Sequence, residues 1–181
     1  MRQRARIALE TGLEVTVVMT DDTAVDFAVV AFREESHWNV EPLPPRAAID
    51  LSALMAALRQ QSPEGVALAL VSYGDDFFVL ARVDAGRARL LLSDVTAASE
   101  WPVAAQVLDE LDLPMPDDDD DLEQVQPAGD LDLLTDLGVP AMDLAAICSD
   151  LEAYPDETLG TIAGRLGFGD EFDVAVEAEL R

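Results

Sequence analysis

The sequence predicts an α+β fold: an antiparallel five-stranded sheet in ββαβββα order with packed helices, followed by a C-terminal helical segment. Three observations carry that expectation. Short apolar runs separated by turn-forming residues fill the first half of the chain. One helix-period stripe, Leu51, Leu54, Met55 and Leu58, interrupts them. After a break rich in proline and aspartate, the apolar spacing becomes helical to the end.

Residues 1–22 read as a loosely attached leader, within which Val15 to Met19 has strand character. Ala24 to Phe32 is apolar on both alternating faces, the pattern of a central strand covered on both sides. Arg33 to Ser36 is a polar turn, and His37 to Leu43 alternates as a half-exposed second strand. Pro44-Pro45 breaks the chain, Asp50 is placed to cap a helix running to about Gln61, and Ser62 to Gly65 ends it. Val66 to Tyr73, Phe77 to Val83 and Arg87 to Leu92 form a meander through tight turns at Gly74-Asp75 and Asp84-Ala85-Gly86. A helix from about Trp101 to Leu111 completes a sheet domain over residues 23–113. This order suits profilin-like and roadblock-like sheets, although order alone leaves the topology open.

Residues 114–128 hold five consecutive aspartates and three prolines, and are expected to be an acidic linker. Residues 129–181 form the helical segment. Leu131 to Leu137 is expected to be a short helix closed by Gly138, and Pro140 to start one reaching about Ala153. A third begins at Pro155 with acids in its first turn and ends at Gly167; Asp170 caps a fourth to Leu180.

Composition narrows function by exclusion. The 181 residues carry 37 acids against 11 arginines and no lysine, a net charge of −26. Nineteen acids and no basic residue lie between Leu90 and Gly164. Such a field repels nucleic acid and anionic membranes and attracts basic proteins. Half of the residues are hydrophobic and mean hydropathy is +0.13, so a packed core is expected despite the charge. The bias toward arginine over lysine, with one asparagine, reads as the codon usage of a GC-rich bacterial genome. One cysteine excludes an internal disulfide, and no signal peptide or membrane-length apolar run is found, so a cytoplasmic location is expected.

No residue set reads as catalytic. The aspartate run lacks the alternation and glycine of a calcium loop, so no metal site is expected there, and no cofactor motif stands out. His37 reads as a surface histidine and Cys148 as a small buried hydrophobe. Gly160, Gly164, Gly167 and Gly169 follow no strand and have no lysine nearby, so they read as helix packing and caps. Trp38 reads either as core or as an anchor for a partner, since tryptophan is enriched at interface centres. The partner-binding candidates are therefore Trp38, Asp117, Asp118, Asp119, Asp120 and Asp121.

DFAVVAFREE, LSALMAALRQQ, FFVLARV followed by RLLLSDVTAASEW, the DDDDD tract, QPAGDLDLL and YPDETLGTIAGRLGFGDEFD resemble the tRNA adenosine deaminase-associated proteins, small acidic bacterial proteins of unknown function. The resemblance runs from about Ala24 to Val174 and implies a place beside a zinc-dependent tRNA adenosine deaminase. It brings no catalytic residues. The deaminase itself needs H-x-E and P-C-x-x-C motifs for its zinc and proton transfer. Here His37 precedes Trp38-Asn39 and Cys148 stands alone, so this chain is not the deaminase. The leading expectation is a non-catalytic accessory binding a basic protein, such as a tRNA adenosine deaminase. The alternatives are an acidic nucleic-acid mimic occupying a basic surface, and an enzyme with an unrecognised site.

Overall fold

The computed structural model describes residues 25–61, 65–116 and 125–181. The leader and Asp117 to Asp121 lie outside them. β1 (Val25–Glu34) and β2 (His37–Pro42) form the first hairpin. Its two-residue turn puts Glu35 and Ser36 at φ 49° and 77°. Both are left-handed, as the twist of a tight hairpin demands. α1 (Leu51–Gln61) follows, and the Asp50 carboxylate accepts the Ala53 N–H at 2.7 Å, a cap worth about 1 kcal/mol.

β3 (Val66–Tyr73), β4 (Phe77–Asp84) and β5 (Arg87–Leu92) make the meander. A 3-10 turn at Val95–Ser99 leads into α2 (Pro102–Glu110). The sheet is antiparallel throughout, with strand order β2-β1-β3-β4-β5-β6. The sixth strand, β6 (Ala128–Gly129), corrects the expected count of five. Two residues carry no alternation to read. Gly129 follows β5 closely at φ 114°, and a Cβ there would collide with the Leu90 carbonyl.

The sheet is the middle of three layers. Val30, Ala69, Val71, Val79 and Leu92 face α1 and α2. Val29, Leu68, Leu70, Leu80 and Leu91 face the C-terminal helices. Cover on both sides is why β1, β3 and β4 are apolar at both parities. The C-terminal layer comprises a 3-10 helix at Leu131–Leu137, α3 (Ala141–Cys148), α4 (Pro155–Leu166) and α5 (Gly169–Glu179).

The short helix expected at Leu131–Leu137 forms as a 3-10 helix closed by Gly138, and two other local expectations change. α3 stops at Cys148 instead of reaching Ala153. Asp150 Oδ1 accepts the Glu152 N–H at 3.1 Å, and Pro155 disfavours helix in the residue before it. The last helix begins at Gly169, with Phe168 at its cap, so Asp170 lies in the first turn rather than capping it. Phe168 and Gly167 donate to the Ala163 and Gly164 carbonyls at 3.0 and 3.2 Å, closing α4 in a Schellman motif. Gly167 is left-handed at φ 90°, and a Cβ on Gly169 would lie 3.2 Å from Gly164 Cα. Those glycines are caps and close packing, as the sequence predicts.

Candidate functional site

Trp38 stands on β2, the edge strand across the sheet from β5 and β6. Its half-buried ring lies 4.9 Å from the Phe168 ring, and the Arg33 guanidinium sits 5.1 Å from its centroid. Arg33 and Trp38 are direct cross-strand partners. The ring therefore helps hold the C-terminal layer onto the sheet edge. Asp117 to Asp121 fall outside the described residues. His37 is exposed on β2. Cys148 is buried, and burial pushes its thiol pKa up to about 12.

Sequence reading missed an arginine clamp on β4 and β5. Arg82 and Arg89 lie directly opposite each other, an arrangement that would repel if left alone. Arg82, 1% exposed, donates from Nη1 to the Leu133 carbonyl and Asp136 Oδ1 at 2.6 Å each. From Nη2 it reaches Asp136 Oδ2 at 2.7 Å and Asp84 Oδ2 at 2.9 Å. Arg89 Nε donates to Asp130 Oδ2 at 2.6 Å, while Asp130 Oδ1 caps the 3-10 helix through the Asp132 N–H. The Arg82 hydrogen bond and charge hold the Asp136 carboxyl below the ordinary range, and Arg89 does the same for Asp130. Both guanidiniums are thus engaged by carboxylates of the chain itself. The clamp fastens Leu131–Leu137 to the sheet.

Other arginines are paired in the same way. Arg165 meets Asp143 at 2.7 Å and Arg181 lies 3.7 Å from Glu177. These exposed pairs add less than about 1 kcal/mol each.

The open site lies where β3 turns into β4 and β5 ends. Two adjoining hollows, of about 270 and 310 Å³, share Asp76 and Asp94. The first has Phe77, Phe78, Cys148 and Pro155 among its walls. Asp75 and Asp76 stand on the β3–β4 turn, while Asp150 and Glu152 stand on the α3–α4 loop. Leu151 and Tyr154, 72% and 60% exposed, complete that loop. Among the described residues no basic side chain lines either hollow.

The second hollow is walled by Trp101. Tyr73 and Phe77 stack at 4.8 Å, and Trp101 meets Phe77 edge-on at 5.4 Å. Gly74, at φ 56°, lies under that indole: a Cβ would come within 2.9 Å of Trp101 Cη2. The Tyr73 hydroxyl donates to the Ala48 carbonyl at 2.7 Å. Burial first, and Asp50 second, drive its pKa far above the usual phenol range.

The hydroxyls here serve local structure. Ser93 Oγ accepts the Phe78 N–H at 2.8 Å, Thr96 Oγ1 donates to Asp94 at 2.7 Å, and Thr158 Oγ1 donates to the Tyr154 carbonyl at 2.9 Å. The chain's one histidine is on the far edge strand, so none of these hydroxyls has an imidazole base beside it. The carboxylates around the cleft give it a negative potential that attracts cations. In sequence its only trace is SDLEAYPDE, where two large apolar residues sit among acids in what otherwise reads as a helix end.

Fold and cleft define a three-layer α+β protein with an acidic surface cleft. The chain belongs to the Rv3753c-like tRNA adenosine deaminase-associated protein family, which it matches over residues 26–169. It is 40% identical over 158 residues to Protein Rv3753c of Mycobacterium tuberculosis, covering 86% of this chain and 90% of that protein. No solved structure matches. Among the described residues no helix is long and apolar enough to cross a membrane.

Proposed function

We propose that the chain is a non-catalytic cytoplasmic accessory that binds the basic surface of a tRNA adenosine deaminase. The observation that carries this reading is the cleft itself: Asp75, Asp76, Asp94, Asp150 and Glu152 line it beside the exposed Leu151 and Tyr154, with no cation among its described walls. An enzyme that binds tRNA presents a positive surface, and opposite fields speed encounter. At physiological salt the screening length is about 8 Å, so charge steers while buried apolar anchors retain. The family's name supplies the partner.

The test is affinity capture of the tagged chain from its native cells, probing for the deaminase. Capture that survives added tRNA supports an accessory role. Loss of capture on adding tRNA favours a nucleic-acid mimic, the second reading that a charge of −26 supports. No capture at any salt concentration would remove the proposal.

A further inference from the structure

We infer that the outer edge of β2 is a self-recognition surface, on which a second copy of the chain pairs antiparallel about a two-fold axis at Asn39. This surface is distinct from the cleft and independent of the deaminase. In the first hairpin the two-residue turn makes Glu34 and His37 a hydrogen-bonded pair, and the Leu43 N–H donates to the Ala28 carbonyl at 2.7 Å in the same phase. His37, Asn39 and Glu41 therefore turn their backbone groups toward β1, while Trp38 and Val40 turn theirs outward. No strand among the described residues pairs with that side of β2. The sheet's other loose ends are finished. β6 is two residues long, and the Ala28 N–H, beyond the end of β2, is taken by Glu179 at 2.8 Å. Among the described residues, Trp38 to Val40 carries no such cap, no bulge and no charged side chain, the devices that keep edge strands apart.

One two-fold register fits. It pairs Trp38 with Val40 of the second copy and Val40 with its Trp38, so that outward donors meet outward acceptors at both places. Sliding one step either way opposes Val40 to Ser36, which lies in the turn at φ 77°, or Trp38 to Pro42, which has no N–H. The fitting register also sets the exposed His37 against the exposed Glu41 of the second copy, an imidazole donor facing a carboxylate, and the Trp38 ring beside a β-branched valine. Each chain carries −26, so the overall field opposes this contact and added salt tightens it, the reverse of binding to a basic partner.

The test is disulfide cross-linking of the full chain under mild oxidation, read on non-reducing gels, beside sedimentation equilibrium of the wild type. Directly opposed residues at such a position lie about 4.5–5.5 Å apart, within disulfide reach, while residues four places out of register are roughly 13 Å apart and cannot be bridged. Asn39→Cys therefore gives a cross-linked dimer. His37→Cys and Glu41→Cys do not when each is alone, and an equimolar mixture of the two does. Cys148 is buried and takes no part. The wild type shows a monomer–dimer equilibrium that tightens at least threefold from about 0.05 to about 0.5 M salt. Val40→Pro deletes an outward donor without touching a β1–β2 bond and abolishes the dimer, with folding verified by circular dichroism. His37→Glu weakens the dimer at least threefold, and adding Glu41→Arg restores it. A wild type that is monomeric at every concentration overturns the inference, as does Glu41→Cys cross-linking alone as readily as Asn39→Cys. So does association that weakens with salt. Cross-linking of Asn39→Cys only after Val17→Asp would assign the edge to the chain's own N-terminal segment and overturn it too. Deaminase capture lost in Val40→Pro, with a monomeric wild type, would assign the edge to that partner and likewise overturn it.

Discussion

Replacing Asp136 by alanine removes two of the four hydrogen bonds that surround the buried Arg82 guanidinium. Breaking a fully buried ion pair from one side costs roughly 3–5 kcal/mol, because a charge is left without its counterpart. Two features lower that figure here. The Asp136 side chain is 58% exposed, so water can enter the vacated space, and Asp84 and the Leu133 carbonyl still hold the cation. The expected loss is about 2 kcal/mol. Arg82→Met is expected to cost less, about 1 kcal/mol or under, since it deletes the buried charge and returns two exposed carboxylates to water.

Urea unfolding at neutral pH measures both through the shift in midpoint. The pH dependence has a definite sign. The Arg82 hydrogen bond depresses the Asp136 carboxyl, so its stabilisation is complete above the unfolded carboxylate range and fades as pH falls through the folded value. The wild type and Asp136→Ala should therefore converge in acid. An Asp136→Ala protein within about 0.5 kcal/mol of wild type would refute this reasoning. An Arg82→Met loss as large as that of Asp136→Ala would refute it as well.

Three further outcomes follow from the packing of the protein. Gly129→Ala should destabilise by more than about 2 kcal/mol, because it combines a left-handed backbone with a collision against the Leu90 carbonyl; a smaller change in chemical denaturation would mean β6 shifts freely. Native Cys148 should resist Ellman's reagent until the protein is unfolded, since burial pushes its thiol pKa up to about 12; rapid labelling at pH 8 would contradict the packing. Glu179 accepts the Ala28 N–H at 2.8 Å, yet burial raises its pKa, so charging it costs stability as pH rises through the folded value. Glu179→Gln should accordingly raise the melting temperature at neutral pH and leave it unchanged at pH 3; the reverse order would show that the hydrogen bond outweighs burial.

Much of the fold was legible because its signals are local. Asp50, the Leu51–Leu58 stripe, the Ala85-Gly86 turn and the two-sided apolar character of β1 each reflect short-range geometry or simple burial. The two-sided character of β1 called for cover on both faces, but whether the C-terminal helices supply one of those covers was not legible, because their packing on the sheet is a long-range contact. β6 left no trace because two residues cannot show a period, and its cause, a glycine pressed against β5, is a long-range contact. The arginine clamp was hidden for the same reason: Arg82 lies 54 residues from Asp136, and nothing in either neighbourhood marks the pair. The sequence pointed to Trp38 and the aspartate run because aromatic and charged residues stand out in a string of letters. Folding instead gathers Asp75, Asp94 and Asp150 from three separate connections into one cleft.

Isothermal titration of the purified chain against purified tRNA adenosine deaminase, repeated with Leu151→Ser/Tyr154→Ala and at raised salt, tests the central claim most directly. A saturable complex that weakens at least tenfold in the variant, and weakens again as salt rises, is the predicted result. Absence of heat with the wild type, or an unchanged isotherm with the variant, would contradict it.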